Sequence, residues 1–323
     1  MRCTNRGIGV FFSVLWLAAL TGCGADFEMP FDIDNPNTAY TLDANVSTDS
    51  AKPFAADLCV TDADIRPDTV ELSLASAEGL FDVSGKETLI SDAVHERLHP
   101  ASTTKIMTAY LALKYGKLED TLIASKNVLI TESGAQLIPL HEGDRMTLDQ
   151  ALHALMMYSA NDAAVMIAEY ISGSVEAFAD LMNKEALALG ATNTHFTNPN
   201  GLTDEEHYTT AYDLYLIFNT AVKNEKFIEL ISTMEYSFTY TDAAGNPKQM
   251  DLQSPNLYLR GEKETPPGIQ VVGGKTGTTK AAGSCLVLLS QDAAGKPYIS
   301  VVLNAADREG VYNQTSALLQ YIP

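Results

Sequence analysis

Between residues 148 and 222 the apolar positions keep helical spacing. Leu148, Leu152, Leu155 and Met156 recur three to four residues apart, and the stretches 162–171, 175–189 and 209–222 repeat the pattern. Each predicts a helix with one face turned to a core. On either side of this region the signal changes. Residues 77–81 and 87–90 flank a Ser84-Gly85 turn and predict a hairpin. Residues 269–278, 284–290 and 298–304 are short β-rich runs, the last two joined across Asp292-Ala293-Ala294-Gly295. A terminal helix is predicted over about 309–321. Strands thus come from both ends of the chain, and their short connections call for antiparallel pairing. The expected fold class is α/β in the α+β sense, a sheet built from both termini with a helical insertion between.

The first 22 residues stand apart from that pattern. Arg2 and Arg6 precede an acid-free apolar run over residues 8–20, whose 13 residues fall short of the roughly 20 needed to cross a bilayer as a helix. This is the layout of an export signal. The run ends in Leu20-Thr21-Gly22-Cys23, which resembles a bacterial lipobox and implies cleavage before a lipid-bearing Cys23. Ordinary cleavage after Cys23-Gly24-Ala25 is the competing reading. From 23 to 56 the chain is rich in Asp, Asn, Thr, Ser and Pro without apolar periodicity, as in a solvated acidic tether. The expected organisation is a lipoprotein signal peptide over 1–22, a flexible tether over 23–56 and a catalytic domain over 57–323.

Charge narrows the partners. With 41 Asp plus Glu against 21 Lys plus Arg the formal charge is −20, and loss of residues 1–22 removes two positive charges and no negative ones, taking −20 to −22. Such a chain does not bind nucleic acid by charge. At 46% hydrophobic and 19% charged residues it is nevertheless a core-forming sequence, not a disordered acidic tail. Removal of Cys3 with the signal and acylation of Cys23 leave Cys59 and Cys285, either bridged outside the cytoplasm or held as two buried thiols.

The chemistry begins at Pro100-Ala101-Ser102-Thr103-Thr104-Lys105. A helix starting near Ser102 places Ser102 and Lys105 one turn apart on one side, a nucleophile with a base in reach. Ser159-Ala160-Asn161 follows between helical segments, and Lys275-Thr276-Gly277-Thr278 lies on a β-rich run. Alone, each has a plain reading as a helix cap or turn. In this order, the three match the Ser-x-x-Lys, Ser-x-Asn and Lys-Thr-Gly set of penicillin-binding proteins and class A β-lactamases. Separated by 57 and 116 residues, they can meet only in a folded site.

On these motifs the sequence resembles the serine D-alanyl-D-alanine carboxypeptidases, the low-molecular-mass penicillin-binding proteins. The similarity extends to the lead-in from Arg97 to Met107, to His195-Phe-Thr-Asn-Pro-Asn-Gly201-Leu, to His207-Tyr-Thr-Thr-Ala-Tyr-Asp213 and to Ala282-Gly-Ser-Cys-Leu-Val287, and it runs from about Leu74 onward. The resemblance implies a β-lactamase/transpeptidase-like fold, an antiparallel sheet flanked by helices beside an all-helical lobe. It implies that Ser102 is the nucleophile, Lys105 its base, and Ser159 and Asn161 the relay and orienting pair. Lys275, Thr276, Gly277 and Thr278 would hold the substrate's terminal carboxylate, and the amides of Ser102 and Thr278 would form the oxyanion hole. The implied substrate is a peptidoglycan stem peptide ending in D-Ala-D-Ala, and β-lactam antibiotics are the implied inhibitors. No cofactor or metal is called for, and the membrane is met through the N-terminal lipid. The chain closes about one hairpin and one helix after Lys275, so the expectation is a catalytic unit without the family's C-terminal β-rich domain and anchor helix.

Two alternatives share these residues, a class A-like β-lactamase and a catalytically inactive wall-peptide-binding lipoprotein. Against the first, no Glu between Ser159 and Lys275 is followed by Asn four residues later. Against the second, the polar set is intact. Two other motifs lead nowhere. His95-Glu96-Arg97-Leu98-His99 fits a zinc-protease pattern, but Pro100 drives His99 out of helical geometry. The stretch 268–275 mimics a phosphate loop with its Lys one residue late. His195, His207 and Asp213 are expected to order loops.

Overall fold

The computed structural model describes residues 55–323; the signal peptide, Cys23 and nearly all of the 23–56 tether lie outside the described residues. Along the chain come β1 (Ala77–Asp82), β2 (Glu87–Asp92), a 3-10 turn (Ala101–Thr104), α1 (Lys105–Tyr115), β3 (Thr121–Ile123), β4 (Arg145–Thr147) and α2 (Leu148–His153). A π-helical turn (Ala154–Tyr158), α3 (Asn161–Ser172), α4 (Val175–Ala188), α5 (Ala211–Ala221) and α6 (Glu225–Ser232) follow. The chain then runs through β5 (Glu235–Thr241), β6 (Pro247–Gln253), β7 (Gln270–Thr279), β8 (Gly283–Gln291) and β9 (Pro297–Ala305) to α7 (Arg308–Gln320). Among the described residues no helix is long and apolar enough to cross a membrane.

The main sheet has the order β2-β1-β9-β8-β7, antiparallel throughout. Its first two strands come from the start of the fold and its last three from the end, as the periodicity predicts. β8 is an interior strand between β9 and β7 and is buried from Ser284 to Ser290, so it reads as a continuous apolar run instead of an alternation. Both faces are covered. On one, Phe81 of β1 stacks on Tyr215 of α5 with ring centroids 4.1 Å apart. On the other, Val311, Tyr312, Leu318 and Leu319 of α7 pack with Leu80, Leu286, Leu288 and Val302. β7 is left as the edge strand.

The helical lobe forms where the spacing places it. Its helices carry the caps that helix starts demand: Thr147 and Gln150 make a reciprocal capping box at α2, Ser174 accepts from Ala177 N–H and Thr210 from Asp213 N–H. The lobe also holds a second antiparallel sheet of order β3-β4-β5-β6, which the sequence reading omits along with α6. Two of its strands have only three residues, too few to show a period. The other two form a hairpin whose turn, Asp242-Ala243-Ala244-Gly245, has the same four residues as the recognised turn at Asp292. In both turns the Asp Oδ1 accepts backbone N–H bonds from residues two and four ahead, at 3.0 and 2.8 Å at Asp242 and 2.8 and 2.9 Å at Asp292.

Cys59 and Cys285 are separate buried thiols. The Cys59 Sγ donates to Asp82 O at 3.2 Å. Burial pushes the two thiols up to about 11 and about 12 respectively, so neither ionises at neutral pH.

Candidate active site

Ser102 sits on the 3-10 turn, and Lys105 opens α1. The turn is tightly held. Ala101 has φ 49°, a left-handed conformation unusual for a residue with a Cβ. A Cβ on Gly201 would come within 1.8 Å of Ala101 O, so the 195–209 loop can press against the turn only through a glycine.

Lys105 is wholly buried, and its Nζ lies 3.0 Å from Ser102 Oγ, 2.7 Å from Asn161 Oδ1 and 2.5 Å from Asn200 O. Burial holds its amine well below the usual lysine range, and the nearby Lys275 charge lowers it further. A neutral amine fits these three partners. It can donate its two N–H groups to Asn161 Oδ1 and Asn200 O and turn its lone pair toward the Ser102 hydroxyl.

The second motif is reached through the π turn, after which Ser159 adopts a left-handed conformation at φ 63°. The kink turns Ser159 toward β7 while Asn161 starts α3 and faces Lys105. Such one-turn π insertions re-aim side chains at functional sites. Asp162 fixes the neighbouring loop, accepting from Ile138 N–H at 3.3 Å and Leu140 N–H at 3.1 Å.

The third motif lies on the edge strand β7. Lys275 is buried, and its Nζ donates to Ser159 Oγ at 3.0 Å and Thr276 O at 2.8 Å. Burial lowers its pKa to about 7. Gly277 passes so close to the 3-10 turn that a Cβ there would lie 2.8 Å from Ser102 N, which is why this position carries no side chain. All eight of the sequence-selected site positions are therefore drawn to one region. Ser102, Ser159, Thr276, Gly277 and Thr278 line a cleft of about 410 Å³. Ser102, Asn161 and Thr278 line an adjoining one of about 340 Å³, while Lys105 and Lys275 sit beneath.

Two contributors were not selected. Asn200 supplies its backbone carbonyl to Lys105, a role no side-chain motif announces, although the Asn198-Pro199-Asn200-Gly201 turn marks the place. Arg308, the first residue of α7, lines the larger cleft with an exposed guanidinium whose Nη2 donates to Pro255 O at 3.0 Å. His207 orders the loop. Its Nδ1 accepts from Thr197 N–H at 3.0 Å, which leaves Nε2–H to donate to Thr104 Oγ1 at 2.8 Å. Asp213 accepts from Asn193 N–H and Thr194 Oγ1 at 2.8 and 2.7 Å, and His195 Nδ1 meets Glu206 O at 2.6 Å. The zinc-like stretch is not helical. Leu98 bridges Thr209, His95 Nε2 meets Thr61 O and His99 Nδ1 meets His207 O, so the two imidazoles share no helix face.

An antiparallel sheet beside a helical lobe, with a Ser–Lys pair between them and a Lys-Thr-Gly edge strand alongside, defines a β-lactamase/transpeptidase-like protein. The family model described as D-alanyl-D-alanine carboxypeptidase matches residues 71–307, and the chain belongs to that family. It is 36% identical over 231 residues to D-alanyl-D-alanine carboxypeptidase DacF of Bacillus subtilis, covering 70% of this chain and 56% of that protein. To DacC of Escherichia coli it is 32% identical over 264 residues, covering 78% of this chain and 62% of that protein. The chain thus spans about three-fifths of the length of these curated relatives. Among solved structures it is similar to the Streptomyces K15 DD-transpeptidase, with a TM-score of 0.72 at 28% identity over 78% of this chain and 98% of that one.

Burial also lowers the His207 pKa, to about 4. The unfolded chain takes up this proton near pH 6.5, whereas the folded ring takes it up only near 4. Between those values the unfolded state binds more protons, so stability is lost as pH falls. Urea unfolding of the wild type and of His207→Gln across pH 4–7 should show the wild type losing about 3 kcal/mol more than the variant over this window. Parallel curves would assign the ring no such role.

Proposed function

We propose that the protein is a serine-type D-alanyl-D-alanine carboxypeptidase that trims the terminal D-alanine from peptidoglycan stem peptides through an acyl-enzyme. The observation that carries this reading is the buried Lys105 amine bonded to Ser102 and Asn161, with Lys275 and Ser159 paired beside the same cleft. The neutral Lys105 amine takes the Ser102 proton as Oγ attacks the carbonyl carbon between the two D-alanines. The negative charge that develops on the carbonyl oxygen is met by the backbone N–H groups of Ser102 and Thr278, fixed donors that need no reorganisation. Ser159, bonded to Lys275, relays the proton to the leaving amine, the C–N bond breaks, and D-alanine departs. Water, deprotonated by Lys105, then attacks the ester and frees Ser102. Asn161 orients Lys105 and the substrate amide, and Lys275 with Thr276, Gly277 and Thr278 holds the terminal carboxylate.

A β-lactam enters by the same attack, but its leaving nitrogen stays tethered to the acyl group. Among the described residues no carboxylate is hydrogen-bonded to Ser102, Lys105 or Asn161. The β-lactamase alternative needs such a group to activate the deacylating water, so this arrangement supports inhibition over turnover. The inactive-binder alternative is opposed by the lowered pKa of Lys105 beside Ser102, which a merely adhesive site has no use for. The proposal extends to the N-terminus: residues 1–22 direct export, Cys23 carries the lipid, 23–56 tethers, and 57–323 works outside the cytoplasm at the membrane surface. Its support is the charge and apolar pattern of the sequence.

Three outcomes follow from this reading. Ser102→Ala should abolish covalent labelling by a fluorescent penicillin and D-alanine release from a diacyl-D-Ala-D-Ala tripeptide, with its free energy of unfolding in urea kept within about 0.5 kcal/mol of wild type. Lys275 must be charged to hold a carboxylate, so kcat/KM should fall as pH rises through about 7 in the free enzyme. Lys275→Arg, which stays charged, should move that falling limb upward by more than one pH unit; an unmoved limb assigns it to another group. Intact-mass analysis of protein from membranes should show a lipidated chain starting at Cys23, and Cys23→Ser should release it from the membrane fraction. An unmodified mature N-terminus removes the lipid from the proposal.

A further inference from the structure

Residues 64–75 cross β1 and β2 as a strap on the side where α7 packs. Val70, Leu72 and Ala75 lie against the cluster that contains Leu80, Ile90 and Val302. The strap is held near both ends. At its start Ile65 and Ser91 exchange backbone hydrogen bonds at 2.8 and 3.0 Å, and Arg66 pairs with Asp92 of β2. Toward its end the buried Gln314 of α7 accepts from Leu74 N–H at 3.1 Å and donates to Glu71 O at 2.9 Å.

Beneath the strap lies an acid that the reaction does not use. Glu78 of β1 is 1% exposed, shares the strand face of Leu80, and has no hydrogen-bond partner at either carboxyl oxygen. Its cross-strand neighbours are Asp92 and Val302. An anion at this place meets no donor and faces a second carboxylate, so the site favours the neutral acid. Burial first and the Asp92 charge second push the Glu78 pKa up to about 8, with Arg66 opposing them. The other charges on the surrounding elements are turned away. Asp64, Asp68 and Glu71 of the strap, Arg308 and Glu309 of α7 and Glu87 of β2 are exposed; Asp82 at the far end of β1 is paired with Lys296, and β9 carries no charged residue. Arg66 is already engaged by both Asp64 and Asp92.

We propose that Glu78 is the latch of this strap: as the neutral acid it stays sealed under residues 64–75, and as the anion it drives them off the sheet to reach water. The sign follows from proton binding. With the strap open Glu78 releases its proton near 4.5, and with the strap closed only near 8. Between those values the closed state binds more protons, so closure weakens as pH rises through the window; above about 8 both states are ionised and the dependence ends. Opening also takes from Gln314 both of its partners in the strap. Arg308, at the start of the same helix, lines the larger cleft at Ser102, so the strap braces the helix that walls the cleft.

The test is limited proteolysis of the full chain in detergent by thermolysin between pH 6 and 8.5, with cleavage sites read by mass spectrometry. Each rate is divided by that of Glu78→Leu at the same pH, which cancels the protease's own pH dependence. When opening and closing are fast against cleavage, the rate follows the open fraction. Relative to the variant, wild-type cleavage within 64–75 should rise at least about tenfold from pH 6 to 8 while residues 77–323 stay intact. Glu78→Gln keeps the shape but has no proton to lose; it should track Glu78→Leu, and either serves as the reference if the other does not fold. A ratio that stays constant with pH overturns the proposal, as does an equal rise in Glu78→Gln. Cleavage that spreads through the body at the same pH also overturns it, because the whole fold is then opening instead of the strap.

Discussion

The site depends on keeping one lysine amine dry. Lys105 is fully buried and has three partners for Nζ, and each comes from a different part of the chain: the turn before α1, the start of α3 and the 195–209 loop. In water this amine would be a hydrated ammonium with no lone pair to offer. Buried with neutral acceptors and a second lysine nearby, the charged form loses its advantage. The tight turn at Ala101, the glycine at 201, the His207 contact to Thr104 and the Asp162 bonds to Ile138 and Leu140 all keep the walls of that crevice in place.

The second constraint is the approach of β7. Gly277 brings the edge strand against the nitrogen of Ser102, and the left-handed Ser159 lets the helical lobe reach across to Lys275. Sheet and lobe are thereby joined at the chemistry itself: Lys275 from the sheet lies close enough to lower Lys105 on α1. As the edge of its sheet, β7 also leaves one side of its backbone unpaired by any strand, a surface on which an extended peptide can lie.

Much of this was legible in the sequence because the informative residues are side chains at fixed spacing. Ser102 and Lys105 announce themselves one turn apart, and the long helices and the three C-terminal strands carry their periods openly. The second sheet was lost where that logic fails: β3 and β4 are three residues each, and the β5–β6 hairpin was missed although Asp242-Ala-Ala-Gly245 repeats the turn recognised at Asp292. The Asn200 contribution is a backbone carbonyl, which residue identity does not encode. Arg308 lay far from any motif, and only the packing of α7 against the sheet brings it to the cleft. The pairing state of Cys59 and Cys285 needed three dimensions for the same reason.

The sequence separations of the Lys105 contacts, 3, 56 and 95 residues, have a consequence for how activity appears in time. Long-range closures are the slow part of folding, since each must overcome chain entropy before its contacts form. Until the last of them closes, Lys105 is an ordinary solvated ammonium and Ser102 an ordinary hydroxyl. On the proposed mechanism, a half-folded chain would therefore hold no activated serine that could be acylated prematurely. If Ser102 is the nucleophile proposed above, it is switched on by completion of the fold, and its reactivity would report that these long-range contacts have closed.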